Sequence, residues 1–411
     1  MTAPDGHTLV VLATLAVGVT AALVALPRAA TRGVGGWATA ATAAATALVA
    51  LARDPITLGL AWAASFAPLY AASPARRDPE ARRATTTLAV GSTAPMLLAM
   101  AALVARGAGW SEGFAGAARR APHATQELVA LLLAVSALAR CGAFPFHSWL
   151  PVMAERGPAG PVAAMVSAPV GLLVLTRVLP EVAPDAGPQL VTALRFVGLA
   201  GALYGGVLSL AQRDLRRGVG FIAVGQTGLA LAGLGSGAAA GVAGAALYSA
   251  GASVTTVGLL AVSHAVGARA GTTSISRLGG LVTMGPRMAA AFLLLGAVAI
   301  GVPGSAGFAG EDLLVHGLME THPAAALLLI GATLLLAAGF FSLYARAFLG
   351  PALRDASGAA RGVPDLLPRE RLTAFALAAL VIAAGLAPGW LLGAVGPEAE
   401  RAAHLGHAAG R

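Results

Sequence analysis

Apolar stretches of about 18 residues or more recur along this chain from end to end, and that pattern leaves little choice of fold. Each is long enough to cross the roughly 30 Å of a bilayer's hydrocarbon as a helix. Inside lipid, backbone N–H and C=O groups must be satisfied within the segment or within a closed barrel. These runs are too long for barrel strands and do not alternate polar with apolar residues. The chain therefore reads as an all-α polytopic membrane protein. Composition agrees: 57% of the 411 residues are apolar, 11% are charged, and the mean hydropathy is +0.78. A water-soluble chain carries about 25% charged residues.

About twelve spans are expected, near residues 7–26, 34–52, 54–73, 85–106, 125–147, 158–179, 188–210, 216–235, 239–264, 286–316, 323–347 and 371–395. The first is read as a true span rather than a signal peptide, because Met1 to His7 contains Asp5 and no arginine. The abundant Ala and Gly suit helices that approach one another closely.

The net charge of +9 does not point to nucleic acid, since the charges sit in short loops and form no basic face interleaved with aromatics. All 27 basic residues are arginine and none is lysine; the plain explanation is a GC-rich genome. Eighteen of the 27 fall in alternate loops on one side. That side is expected to be cytoplasmic, with both termini opposite. The single cysteine, Cys141, excludes an internal disulfide and a cysteine-built metal site. With no clustered histidines and no dinucleotide glycine motif, the chain is expected to carry no cofactor of its own.

Two expected spans are interrupted. The fifth holds Arg140-Cys-Gly-Ala-Phe-Pro-Phe-His-Ser-Trp-Leu-Pro151, and the tenth holds Gly301-Val-Pro-Gly-Ser-Ala-Gly-Phe-Ala-Gly-Glu311. Pro145, Pro303 and Gly304 should break or kink these helices. The interruptions lie five spans apart, so spans 2–6 and 7–11 read as two inverted five-helix repeats, each broken in its fourth helix. Paired breaks of this kind point to an ion or substrate site. The units expected are 1–33 (a first helix), 34–180, 186–350, and 351–411 (a loop, the last helix and a tail).

The segment Ala139-Arg-Cys-Gly-Ala-Phe-Pro-Phe-His-Ser-Trp-Leu-Pro151, with Gly157-Pro-Ala-Gly-Pro-Val162 after it, resembles a motif of the antiporter-like membrane subunits. That family comprises such subunits of respiratory complex I, of multisubunit sodium/proton antiporters, of membrane hydrogenases and of two-component inorganic-carbon transporters. Asp214-Leu-Arg-Arg217 with Gln226-Thr-Gly228, Arg277-Leu-Gly-Gly-Leu281 and Gly307-Phe-Ala-Gly-Glu-Asp312 resemble three further motifs in the same order. The resemblance implies the inverted-repeat fold and proton, or sodium, passage along ionisable groups buried in the membrane. It also implies membrane and soluble partner subunits. Any NADH–quinone oxidoreductase chemistry would belong to the complex rather than to this chain.

The sequence departs from the family at its ionisable positions. Ala63 takes the place of a first-half glutamate, Arg140 of a lysine, Ser167 of a histidine, Tyr248 of a histidine and Ala252 of a lysine. A guanidinium stays protonated, so Arg140 can hold charge but cannot relay a proton by releasing it. Glu311 is the leading proton-site candidate; the plainer reading is a carboxylate paired with an arginine or bonded to backbone at the break. Asp312 is expected to face elsewhere. His147 titrates in a suitable range, although in the motif it resembles it bonds freed backbone. His316 is a further candidate that the headgroup region could equally hold. Asp214 and Arg217 read as an interfacial charge pair, and His264 as a solvated histidine at a span end. The expectation is a proton-conducting subunit with a degenerate first half. The alternative is a non-conducting scaffold subunit of an inorganic-carbon or other membrane complex.

Overall fold

The computed structural model describes residues 4–28, 33–73, 78–105, 114, 122–183, 187–350 and 362–407. Nine arginines of the charge count (Arg32, Arg76, Arg77, Arg106, Arg119, Arg120, Arg354, Arg361 and Arg411) lie outside them. The described residues form helices and no strand; the one β-type contact is an isolated bridge between Asp214 and Ser274.

The helices are α1 (Gly6–Ala25), α2 (Val34–Leu51), α3 (Pro55–Ala72), α4 (Pro79–Val104), α5 (His123–Cys141), α6 (Trp149–Arg156), α7 (Ala159–Val166), α8 (Val170–Leu173), α9 (Gly187–Leu210), α10 (Leu215–Leu234), α11 (Ala239–Ala270), α12 (Pro286–Ala299), α13 (Ala306–Thr321), α14 (Pro323–Phe348), α15 (Pro368–Leu386) and α16 (Gly389–His407). A π-helical stretch, Val174–Val178, and a last turn, Leu179–Val182, carry α8 onward. Ten continuous stretches among the described residues are long and apolar enough to cross a membrane, or eleven if α15 and α16, bent by 70°, are one span. Ten of the first eleven expected spans appear as such; the tenth is divided between the shorter α12 and α13.

Starts of these helices follow local chemistry. Asp5 accepts from the Thr8 amide at 2.8 Å, Asp54 from that of Thr57 at 2.8 Å, and Asp78 from that of Glu80 at 2.9 Å. Each thereby satisfies an amide the helix itself leaves free. Proline opens α3, α4, α12, α14 and α15, where its missing N–H costs nothing.

Small residues set the packing. A Cβ on Gly228 would stand 2.6 Å from the Gly198 carbonyl oxygen, and one on Gly205 2.6 Å from the Gly225 Cα. Helices α9 and α10 therefore cross backbone against backbone, as glycine permits in membrane bundles. The long α11 is buried along most of its length, against α1, α10, α12, α13, α15 and α16. It is the axis on which the second half is assembled.

Both expected breaks are present. Between α5 and α6 the chain turns at Gly142 (φ 65°), and the Phe144–Pro145 bond is cis. Between α12 and α13 it turns at Gly301 (φ 81°) and Gly304 (φ 91°). A third interruption, at Ser167–Pro169 between α7 and α8, was not expected.

Candidate ion path at the two breaks

The first break leaves carbonyls at the end of α5 without helical partners. The Ala143 amide donates to Leu138 O at 2.9 Å, and the indole Nε1 of Trp149 to Ala139 O at 2.8 Å. Trp149 shares the backbone-bonding task expected of His147. The His147 side chain hydrogen-bonds the Pro145 backbone, and its ring lies among aromatics, 4.7 Å from Tyr204 edge-on and 5.8 Å from Phe144.

Arg140, in the last turn of α5, is 4% exposed. Its Nη1 donates to Ser65 Oγ at 2.6 Å and its Nη2 to Thr46 Oγ1 at 3.0 Å. The guanidinium lies 4.8 Å from the Phe66 ring centre and 5.7 Å from that of Trp62. No carboxylate forms an ion pair with it among the described residues. Hydroxyls and ring faces solvate the charge where the family resemblance implied an acid. Trp62, Ser65 and Phe66 share α3 with Ala63, so the Arg140 side chain reaches the helix that carries Ala63. Ser167, in the unexpected third interruption, is buried and donates to Ala164 O at 3.0 Å.

At the second break, the Gln226 side chain from α10 donates through Nε2 to Ala299 O at 2.8 Å, satisfying the end of α12. Ser305 caps α13 by accepting from the Phe308 amide at 3.2 Å. Pro303 is exposed in this turn. Glu311 is half-buried one and a half turns into α13. Its carboxylate turns back to Gly301, where a Cβ would come within 2.7 Å of Oε2, and lies beside the Thr333 hydroxyl of α14, which donates to Leu329 O at 3.3 Å. Among the described residues no arginine pairs with it. Tyr248 of α11, fully buried nearby, hydrogen-bonds the Gln226 side chain, whose Oε1 lies 3.5 Å from Thr256 Oγ1.

Between the breaks lies a cavity of about 70 Å³, room for several waters on the measure of about 10–15 Å³ apiece. Arg140, Gln226, Thr227, Ser249, Ser253 and Thr256 contribute its polar lining, and Ala252 stands on its wall. The structure thus sets Arg140 and Gln226 around one space, with Tyr248 and Glu311 beyond it. Gln226, Thr333, Ser65 and Thr46 were not identified from sequence as site residues. Only Gln226 had a signal there, inside a quoted motif.

His316 does not join this path. It is exposed on α13 and bonds back to Asp312, with Nδ1 2.9 Å from the backbone oxygen and 3.5 Å from Oδ1. The expected Asp214–Arg217 side-chain pair is also corrected. Because α10 starts at Leu215, Asp214 is its cap, accepting from the Arg216 and Arg217 amides at 2.9 and 3.1 Å. The Arg217 side chain reaches across to Glu80 at 3.0 Å and Glu155 at 3.1 Å, while Arg156 pairs with Asp78 at 3.2 Å and Glu80 at 2.8 Å. This network ties the two halves together at the arginine-rich side. The Ala81 amide, aided by the Arg156 side chain, holds the Asp78 carboxyl below its ordinary value. His264 is not simply solvated: its Nδ1 lies 3.2 Å from Arg216 Nη1.

Residues 52–336 match the family described as NADH:quinone oxidoreductase/Mrp antiporter, TM. The chain belongs to that family. It is 29% identical over 259 residues to NADH-quinone oxidoreductase subunit M of Mycobacterium tuberculosis, covering 62% of this chain and 46% of that protein. It is 30% identical over 264 residues to NADH-quinone oxidoreductase subunit 13 of Thermus thermophilus, covering 64% and 55%. The chain thus spans about half the length of these curated relatives. Among solved structures it is similar to a chain of respiratory complex I from Thermus thermophilus with bound NADH, with a TM-score of 0.84, 24% identity, and 98% and 85% coverage. It is also similar to a chain of the Mrp complex from Dietzia sp. DQ12-45-1b, with a TM-score of 0.82, 17% identity, and 96% and 83% coverage. At those identities the structural matches establish the fold.

Proposed function

We propose that this chain is an antiporter-like membrane subunit of a multi-subunit complex that translocates protons, and that its second half is the conducting half. Protons exchange at Glu311 and pass inward by Tyr248, Gln226 and the water-sized cavity. The observation that carries this reading is the placement of Glu311: a half-buried carboxylate at a glycine break, beside a hydroxyl and, among the described residues, not tied to an arginine. An ionisable side chain inside the membrane is expensive, and one that is kept there usually serves transport. In the first half, Arg140 takes the place of a titratable relay and keeps a fixed positive charge there, which opposes proton entry from that side. Both termini lie opposite the arginine-rich loops, and redox chemistry, where the complex has any, resides in partner subunits.

The scaffold reading draws on the same Arg140, whose hydroxyl partners Ser65 and Thr46 bring no titratable group to the first half. A hydrophobic carbodiimide, which reacts with protonated carboxyls in apolar surroundings, separates the two. On the purified complex in liposomes it should label Glu311 and stop proton flux, and the Glu311→Gln variant should escape that label. Labelling of Glu311 with flux unchanged would remove it from the path.

A further inference from the structure

Phe308, Asp312, His316 and Glu320 recur every four residues along α13, and all four are exposed. Four-residue spacing places them on one face of the helix. The side chains of Asp312 and His316 are 56% and 65% exposed while pairing with each other at 3.5 Å.

Their depth follows from α14. Thr333, which lies beside Glu311, is ten residues from the Pro323 end and fifteen from the Phe348 end, or about 15 and 22 Å at 1.5 Å per residue. A helix of this length overspans the roughly 30 Å hydrocarbon core, so the level of Glu311 is close to mid-membrane. Asp312, one residue on, lies within the hydrocarbon zone. A charged side chain facing lipid there is costly. Neighbouring exposed residues of α14, Leu327, Leu328 and Leu334, suit an apolar environment; the α13 stripe does not.

We infer that this face of α13 is covered in the assembled complex by a transmembrane helix of a second, different subunit, presenting a basic side chain at the level of Asp312. Charge complementarity sets the occupant: the stripe carries Asp312 and Glu320 against the one histidine. A second copy of this chain lacks the complement. Its exposed arginines, among the described residues, all lie in loops or within about two turns of a helix end. This inference rests on the proposed reading of the chain as one subunit among several, and its test does not use ion flux.

A benzophenone side chain in place of Met319, exposed on the same helix, is photo-activated in the intact purified complex, with and without Asp312→Lys. The expected result is one adduct, to a membrane helix of a different subunit that carries Lys or Arg. Asp312→Lys should abolish that adduct, whereas Asp312→Glu should retain it. Adducts to lipid alone, to a second copy of this chain, or to a helix without a basic residue would overturn the inference. So would an adduct indifferent to Asp312→Lys.

Discussion

Gly301 and Glu311 face each other across the second break, so closely that a methyl group on Gly301 would stand 2.7 Å from Glu311 Oε2. The turn and the carboxylate form a single unit, because the glycine that permits the break also leaves the space the acid occupies.

Gly301→Ala should therefore cost twice. At φ 81° an alanine is strained by about 1–2 kcal/mol, and its methyl displaces the carboxylate. Gly304→Ala, at φ 91° with its nearest neighbour, Leu386, 3.6 Å from the added methyl, carries the backbone strain alone. Thermal unfolding should place the two variants close together, while proton flux in liposomes should fall much further for Gly301→Ala. Equal flux would separate the break from the acid's position.

Arg140 is the reverse case, a buried charge bonded to hydroxyls and ring faces. Replacing such a group with an apolar residue of similar length is often neutral or stabilising. Arg140→Met should match the wild type within about 1 kcal/mol or exceed it. Arg140→Ala should lose roughly 2–5 kcal/mol through the cavity it opens. Thermal melting in detergent checks the order. A methionine variant less stable than the alanine variant would mean that the charge itself holds α2, α3 and α5 together.

The breaks were legible from sequence because proline and glycine act locally, and Pro145, Gly301 and Gly304 punctuate runs that are otherwise uniformly apolar. Glu311 was legible for a similar reason, as an acid next to such a break. The partners of Arg140 were not: Ser65 and Thr46 lie 75 and 94 residues upstream, and serine and threonine are ordinary in membrane helices. The third interruption had a local signal in Pro169, although the π-helical turn at Val174–Val178 that follows it had none. Asp214 was misassigned because adjacent opposite charges look like a pair. Where α10 begins decides that the acid caps the helix, and where α4 and α6 lie decides that Arg217 pairs with Glu80 and Glu155.

Asp78 gives the network at the arginine-rich side a definite acid response. Its carboxyl accepts from the Ala81 and Glu80 amides and from Arg156, which holds it below the ordinary 3.8. The depressed value means that its contribution is complete above pH 3.8 and is lost as the pH falls through the lower folded value. Asp78→Ala should destabilise by about 1 kcal/mol at neutral pH, the usual loss for a helix cap. The gap between variant and wild type should close under strongly acidic conditions. Melting curves as a function of pH read this directly, and a gap independent of pH would assign the effect to something other than the carboxylate.

The most direct test is proton flux into liposomes containing the purified protein with its co-purifying partners, wild type beside Glu311→Gln. Glutamine keeps the shape and polarity of the side chain beside Thr333 but has no titratable proton to exchange. Flux in the wild type that falls to background in the variant, with the complex intact in both, is the result expected of a conducting second half. Equal flux in the two, or an intact wild-type complex that does not conduct, would contradict it.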